Sequence, residues 1–242
     1  MQAIEIAGLV KQYKGLTAVD HLSLQIRQGE LFSLLGVNGA GKTTTIKMLS
    51  CLTKPTQGDA SVGGYSIVKQ PEKVKGLIGV SPQQTAVAPN LTVQENLELM
   101  GGIHGFSKEK TRTRVEALTR QFDLKEVLRR KAGKLSGGWQ RRVSIAMALF
   151  SCPKILFLDE PTLGLDVLAR HDLWDTIRQL KGEVTMILTT HYMEEAEALS
   201  DRVGIMKDGR LLAVGTAEEL MEKAETDDFE KAFVCIVKEG QV

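Results

Sequence analysis

Short, mainly apolar runs along the chain predict buried strands. The clearest are Leu31–Leu35, Ile155–Leu158 and Val184–Leu188. Runs of this length are too short for a typical helix and fit strands inside a sheet. Residues with binding chemistry follow each run: glycines, two acids, and Thr-Thr-His. Because ligands bind at the carboxyl ends of strands in open α/β sheets, these positions are candidates for a functional site.

A second pattern, the alternation of apolar and polar residues, predicts half-exposed strands. Leu22–Ile26 alternates between apolar side chains and Ser or Gln. Together with Ala3–Val10 and Asp59–Val62, it indicates an antiparallel flank beside the first apolar run. Asp208-Gly209 lies between two apolar dipeptides and predicts a hairpin turn.

Apolar residues at helical spacing follow several of these strands. Thr44–Leu49 predicts a helix directly after the glycines, and another helical pattern begins at Thr92. A stripe between residues 173 and 180 is typical of core packing rather than of a cofactor site.

The residues after the first apolar run form a complete phosphate-binding motif. Gly36-Val37-Asn38-Gly39-Ala40-Gly41-Lys42-Thr43 matches GxxxxGK[ST] and has the strand and the helix that this motif requires on either side. Glycines let backbone N–H groups turn inward around an anion, and the following helix adds its positive end. In such a loop Lys42 reaches the β- and γ-phosphates, and the Thr43 hydroxyl holds Mg²⁺. The other candidate nucleotide contacts here are Gly36, Asn38, Gly39, Gly41 and Thr44.

Acidic and imidazole side chains follow the other two apolar runs. Asp159 fits a Mg²⁺ partner acting through water, because Mg²⁺ keeps several waters and takes few carboxylates. Glu160 fits the group that polarises an attacking water. His191 lies at the corresponding end of the third run, where a neutral imidazole can hydrogen-bond a γ-phosphate or its attacking water. Taken alone, His191 is equally consistent with having no such role.

Two further features are ambiguous by themselves. Tyr13 can stack on adenine, although a single tyrosine is more often a core or surface residue. Ser136, Gly137 and Gly138 precede a helical pattern and offer a capped helix start with bare amides, which is a second anion site. Without the other motifs, a plain capped helix is the simpler interpretation.

In their order, these motifs resemble the nucleotide-binding subunit of an ATP-binding-cassette (ABC) transporter over essentially the whole chain. By that resemblance Tyr13 is the adenine-stacking aromatic, and Gln83 senses Mg²⁺ and the membrane partner. Leu135–Trp139 is the signature, Pro161–Asp166 crosses the dimer interface, and His191 is the switch histidine. The implied fold is α/β, a P-loop NTPase (RecA-like) core with an antiparallel β flank and an inserted helical lobe.

The resemblance implies a nucleotide site shared between two chains. In the family, two such domains sandwich two ATP molecules head to tail. Each ATP then touches the Lys42 region of one copy and the Ser136 region of the other. We therefore expect Ser136, Gly137, Gly138 and Asp166 to bind nucleotide across a homodimer, or across a heterodimer with a similar ATPase.

The resemblance also assigns the chemistry of ATP hydrolysis. Catalysis is expected from Glu160 with His191 and Gln83, and the expected Mg²⁺ ligands are Thr43, Gln83 and Asp159. ATP and Mg²⁺ are thus the implied cofactors.

Two positions depart from the common pattern. Trp139 stands where the signature usually has Gln, and Val37 replaces a commoner Pro or Ser. Neither change touches an expected catalytic group, so we expect an active enzyme.

The expected organisation is one nucleotide-binding domain over residues 1–242. Its core covers 1–84 and 150–215, its helical lobe 85–149, and a charged, partly amphipathic tail 216–242. An integral membrane permease is the implied partner, docking on the segment from Gln84 to about Met100. The tail and the interface loop resemble those of drug and antibiotic exporter ATPases.

Composition agrees with an ordinary globular domain: 43% of the residues are hydrophobic and 25% are charged. The net charge of +1 argues against a nucleic-acid surface. Met1–Glu5 has neither a basic region nor an apolar core, so no signal peptide is expected. Three widely spaced cysteines are interpreted as reduced cytosolic thiols. The expected location is the cytoplasm, peripheral on the inner face of the membrane.

Other functions remain open on the sequence. One is a soluble ATPase of the same superfamily in translation or DNA maintenance, and another is an importer ATPase. A third is an ATP-binding module in which Glu160 is idle. The leading hypothesis is the ATPase subunit of an exporter.

Overall fold

Two β-sheets frame the glycine loop in the computed structural model, which describes residues 1–240. The larger sheet has six strands in the order β10-β9-β3-β8-β7-β6. Its strands are β3 (Leu31–Leu35), β6 (Ile78–Ser81), β7 (Ile155–Asp159), β8 (Thr185–Thr190), β9 (Arg202–Lys207) and β10 (Arg210–Gly215).

Five of these strands run parallel, so their carboxyl ends share one edge of the sheet. Every residue of β3, β7 and β8 is buried, as their apolar runs predict. Gly36, Pro82, Glu160 and His191 directly follow β3, β6, β7 and β8, which brings four distant segments to the same edge. Strand β10 pairs antiparallel with β9 through the expected Asp208-Gly209 turn.

The smaller sheet is the antiparallel flank. Its order is β2-β1-β4-β5, with β1 (Gln2–Tyr13), β2 (Leu16–Arg27), β4 (Gln57–Val62) and β5 (Tyr65–Ser66). Leu22, Leu24 and Ile26 are buried, whereas Ser23 and Gln25 between them are exposed. The period-two pattern therefore gave the correct face of β2.

Strand β6 was not predicted. Its four residues include a glycine, and it lies in an uncharged segment with no clear alternation. Gly79 has a packing role, because a Cβ atom there would lie 2.2 Å from the Ala148 carbonyl oxygen. The end of a helix thus packs directly on the β6 backbone.

Helices cover the large sheet and build the segment between residues 85 and 149. They are α1 (Lys42–Leu49), α2 (Pro71–Lys75), α3 (Val93–Ile103), α4 (Lys108–Gln121), α5 (Gly137–Ala148), α6 (Val167–Arg178), α7 (Met193–Leu199), α8 (Ala217–Lys223) and α9 (Phe229–Glu239). Thr92 and Glu95 form a reciprocal capping box at the start of α3, so the expected start is correct. Helix α1 begins at Lys42, two residues before the expected start.

Three apolar clusters hold these layers together. One joins α3 to α6 with one face of the large sheet, a second lies between the two sheets, and a third lies under α8 and α9. In the third, α9 buries Phe229, Phe233 and Ile236, each worth roughly 1.5–3 kcal/mol. The charged tail is thus anchored by the apolar face of α9. None of the helices within residues 1–240 combines the length and the hydropathy needed to span a bilayer.

Candidate functional site

The glycine loop is fixed by close backbone contacts from both sheets. A Cβ atom on Gly36 would lie 2.3 Å from the Met206 carbonyl oxygen, and one on Gly41 would lie 2.4 Å from the Ala18 carbonyl oxygen. Gly41 also has φ of 101°, in the left-handed region that favours glycine. The loop ends where α1 begins, so its backbone N–H groups and the helix N-terminus form one concave anion site.

Lys42 spans this loop. Its side chain is only 4% exposed, and Nζ donates to the carbonyl oxygens of Gly36 (2.7 Å) and Val37 (3.1 Å). Nζ also lies 3.7 Å from Glu160 Oε1. Burial lowers the pKa of the Lys42 ammonium, and the charges of Glu160 and Asp159 oppose that shift. The loop cation and the two acids therefore form one electrostatic unit.

Asp159 is held by two hydroxyls at the sheet edge. Thr43 Oγ1 donates to Asp159 Oδ1 at 3.0 Å, and Thr189 Oγ1 donates to the same oxygen at 2.6 Å. A carboxylate beside a hydroxyl is a hard oxygen donor set of the kind that Mg²⁺ uses. Within the described chain, no three His, Cys, Asp or Glu residues gather into a metal cluster. The donor set therefore fits a cation that takes its other ligands from water and from phosphate oxygens.

Glu160, Gln83 and His191 meet at the same edge. Gln83 Nε2 donates to Glu160 Oε2 at 3.0 Å, and His191 Nδ1 lies 3.6 Å from that oxygen. His191 Nδ1 is buried and has no hydrogen-bond partner within residues 1–240. The three side chains come from three different strand ends, so the parallel topology alone brings them together.

A cavity of about 540 Å³ opens over these groups, a volume suited to a small-molecule ligand. Nine expected site residues line it: Tyr13, Asn38, Gly39, Gly41, Lys42, Thr43, Thr44, Gln83 and Glu160. Tyr13 lies at the rim with 44% of its surface exposed, and Lys11 Nζ lies 4.8 Å from its ring centroid.

The signature residues face a different cavity, of about 580 Å³. Ser136, Gly138 and Asp166 line it, and none of its lining residues lines the first cavity. Ser136 occupies the N-cap position of α5 but its hydroxyl makes no capping bond, which leaves this exposed side chain free for a ligand. Gly137 is the first residue of α5, and Asp166 accepts from the Ala169 N–H as the cap of α6.

Several residues at the first site were not singled out from the sequence. Thr189 binds Asp159, and both its hydroxyl and its carbonyl oxygen accept from the Glu160 N–H. Thr17 and Asp208 line the first cavity from two hairpins. The sequence offered one signal for Thr189, its position at the end of an apolar run just before His191. Its contact with Asp159 could not be predicted, because that contact depends on the register of β7 and β8.

Known proteins with similar sequences point in one direction. The ABC transporter family model matches residues 19–163. The doxorubicin resistance ATP-binding protein DrrA of Mycobacterium tuberculosis is 44% identical over 225 residues, which are 92% of this chain and 68% of that protein. The linearmycin resistance ATP-binding protein LnrL of Bacillus subtilis is 38% identical over 238 residues, covering 98% of this chain and 76% of that protein.

A solved structure agrees with the sequence comparisons. A dimeric ATP-binding cassette, in a post-hydrolysis state bound to ADP and Pi, superposes with a TM-score of 0.79 and 29% identity. The match covers 88% of this chain and 98% of that one. With the glycine loop, the paired acids and the signature in the family's order, this chain belongs to the ABC transporter family as one of its ATP-hydrolysing subunits.

Proposed function

We propose that this chain powers the export of a drug-like or antibiotic molecule, hydrolysing ATP as a pair of chains docked on a separate integral membrane permease. The similar DrrA and LnrL proteins are named for resistance to doxorubicin and linearmycin, which favours export over import and over a role in translation. The observation that carries the two-chain mechanism is the separation of the Lys42 cavity from the Ser136 cavity.

The first cavity holds the triphosphate. Lys42 and the loop N–H groups bind the β- and γ-phosphates, and Tyr13 stacks on the adenine, a contact worth about 1–3 kcal/mol. Thr43 and Asp159 would hold Mg²⁺, with Gln83 beside them. The bound ion would neutralise phosphate charge.

Hydrolysis depends on the side chains at the strand ends. Glu160 accepts a proton from the attacking water, since its carboxylate is buried beside the phosphate site. Gln83 fixes Glu160 by donating to Oε2. The His191 imidazole forms a hydrogen bond with the γ-phosphate.

The second cavity completes the partner's site. Ser136, Gly137 and Gly138 bind the γ-phosphate held by the other chain, and Asp166 lies beside them. A two-fold dimer satisfies both sites with identical surfaces, and the ATP joins the two copies. A heterodimer with a similar ATPase would use the same geometry.

The permease docks near Gln83, on the segment from Gln84 to about Met100. Leu99 and Ile103 on α3 are 44% and 65% exposed, which gives this side of the molecule an apolar surface for a partner. Through this contact the subunit lies on the cytoplasmic face of the membrane. Nucleic acid is not an expected partner, because the net charge is only +1.

Mixing two inactive variants tests the shared site. Lys42→Ala removes the phosphate cation, and Ser136→Glu places a carboxylate where the partner's γ-phosphate is expected. Each variant alone should be inactive. A mixed dimer contains one intact site and one doubly damaged site, so random mixing should restore up to about a quarter of the unmutated ATPase rate. Steady-state ATPase assays of the mixture measure this, and an inactive mixture would argue against a two-chain site.

A further inference from the structure

Arg141 lies on α5, two residues after the end of the signature, and does not line the Ser136 cavity. Its Nη1 donates to the Pro82 carbonyl oxygen and its Nη2 to the Gln83 carbonyl oxygen, each at 2.6 Å. The side chain is only 4% exposed. The planar guanidinium therefore binds two consecutive carbonyls with its fork of donors, a geometry that a lysine cannot reproduce.

A buried cation at this position needs compensation. Burial lowers the pKa of the Arg141 guanidinium, and the charges of Asp159 and Glu195 act in the opposite direction. The guanidinium nevertheless stays charged, because arginine loses its proton only in strong base. Arg141 is thus a fixed positive charge on α5 that interacts with Asp159 at the edge of the sheet and with Glu195 on α7.

The segment held by Arg141 carries the side chain that contacts the catalytic acid. Gln83 Nε2 donates to Glu160 Oε2, so the position of the Gln83 backbone sets the position of that bond. A second contact ties the same strand to the same helix, since Ser81 Oγ and Ser144 Oγ lie 3.1 Å apart. Arg141 and Ser144 are three residues apart on α5 and therefore share one helix face.

The N-terminal half of helix α5 thus touches both of the proposed nucleotide contacts. Its N-terminus presents Ser136 and Gly138 to the second cavity, and its first inward side chain holds Gln83 at the first. We infer that Arg141 is a positioning residue that ties the signature helix to Gln83 and so fixes where Gln83 meets Glu160. This inference rests on the proposed function, because it needs Gln83 and Glu160 to act in hydrolysis.

A double-mutant cycle on the full chain tests this inference. Arg141→Gln should lower kcat about 10- to 100-fold, as expected for a displaced catalytic contact, and should change the KM for ATP little. Gln83→Ala should cause a similar loss. In the Gln83→Ala background, Arg141→Gln should lower kcat by no more than about twofold, because the residue that it positions is already gone. Arg141→Lys keeps the charge without the fork and should give an intermediate kcat.

Arg114 offers a matched control. It is half-buried and donates to the Leu149 and Phe150 carbonyl oxygens at the other end of α5. Arg114 lies on α4, so Arg114→Gln removes the same kind of two-carbonyl contact to α5 from a neighbouring helix, and it should lower Tm while leaving kcat unchanged.

Three outcomes would overturn the inference. Equal fold-losses from Arg141→Gln with and without Gln83 would show that Arg141 acts independently of Gln83. A reduced Tm with an unchanged kcat would show a purely structural role. If the Gln83→Ala variant keeps the unmutated kcat, Gln83 has no role in hydrolysis, and both that part of the proposed function and the inference about Arg141 are wrong. The first two outcomes contradict only the inference about Arg141.

Discussion

Glu160 combines the properties that a water-polarising carboxylate needs. It is only 7% exposed, and its carboxylate lies between Lys42 and Gln83. Its backbone has φ of 46°, in the left-handed region, a conformation that costs of order 1–3 kcal/mol in a non-glycine residue. Thr189 accepts from the Glu160 N–H and helps to hold this conformation. Strain of this kind is often found at functional sites.

Glu160→Gln tests the role of the carboxylate. The amide keeps the shape of the side chain but cannot accept a proton from water, so kcat should fall about 10²- to 10⁴-fold. Affinity for ATP should hardly change, because the phosphate contacts come from the loop. Single-turnover hydrolysis and equilibrium nucleotide binding measure the two quantities.

Glu194→Gln is a suitable control for charge. Glu194 lies exposed on α7, 3.8 Å from Arg170. Its neutralisation should leave the rate unchanged. If the Glu160 variant hydrolyses ATP at the rate of this control, the carboxylate has another role.

The sequence motifs predicted the candidate side chains of the site but not the residues that hold them in place. Lys42, Asp159 and Glu160 could be predicted because each has a required chemistry beside an apolar run. Thr189 could not, because its contact with Asp159 arises from the register that pairs these two residues across β7 and β8. Arg141 looked like any charged residue on a helix, since only the tertiary structure shows that it is buried.

Strand β6 and helix α5 show how one missed element positions part of the site. Strands β3, β7 and β8 could be predicted because they are buried on both faces and therefore mainly apolar. Strand β6 is an edge strand with Gly79 in its centre, so its pattern is weak. Only glycine fits at position 79, because the C-terminal end of α5 packs directly against its backbone. This contact also positions the helix that carries both Ser136 and Arg141.

Gly79→Ala should therefore destabilise the fold. The new Cβ would lie 2.2 Å from the Ala148 carbonyl oxygen, so backbone must move, at a cost of about 1–3 kcal/mol. Gly102→Ala on α3 provides the control, because no atom lies within 4 Å of the position of its Cβ. That change should stabilise the helix by about 0.5–1 kcal/mol. Urea unfolding curves compare the two, and equal midpoints would contradict the packing argument.

The whole molecule presents two separate cavities on its surface, which we propose to be the two halves of a nucleotide site. The exposed Leu168 lines the Ser136 cavity, and Leu163 and Val167 are exposed nearby in the chain, which suits a surface covered by a second copy. Local sequence patterns predicted each half, and the family resemblance implied that the two do not meet within one copy. The patterns alone could not give the distance between the motifs, because that distance depends on the complete fold.

Dimerisation should consequently depend on ATP. The Glu160→Gln variant should be a monomer without nucleotide and a dimer with ATP, because ATP stays bound when it is not cleaved. Sedimentation velocity with and without ATP measures the change. Adding Ser136→Glu to this variant should keep it monomeric, and a dimer that persists in the double variant would contradict the proposed interface.

The tight backing of the glycine loop has a kinetic consequence. The carbonyl oxygens of Met206 and Ala18 occupy the space beside Gly36 and Gly41, so the cradle is preorganised by folding itself. Binding of the nucleotide then costs little conformational entropy of the loop. Binding of ATP should accordingly not wait for any rearrangement of the loop.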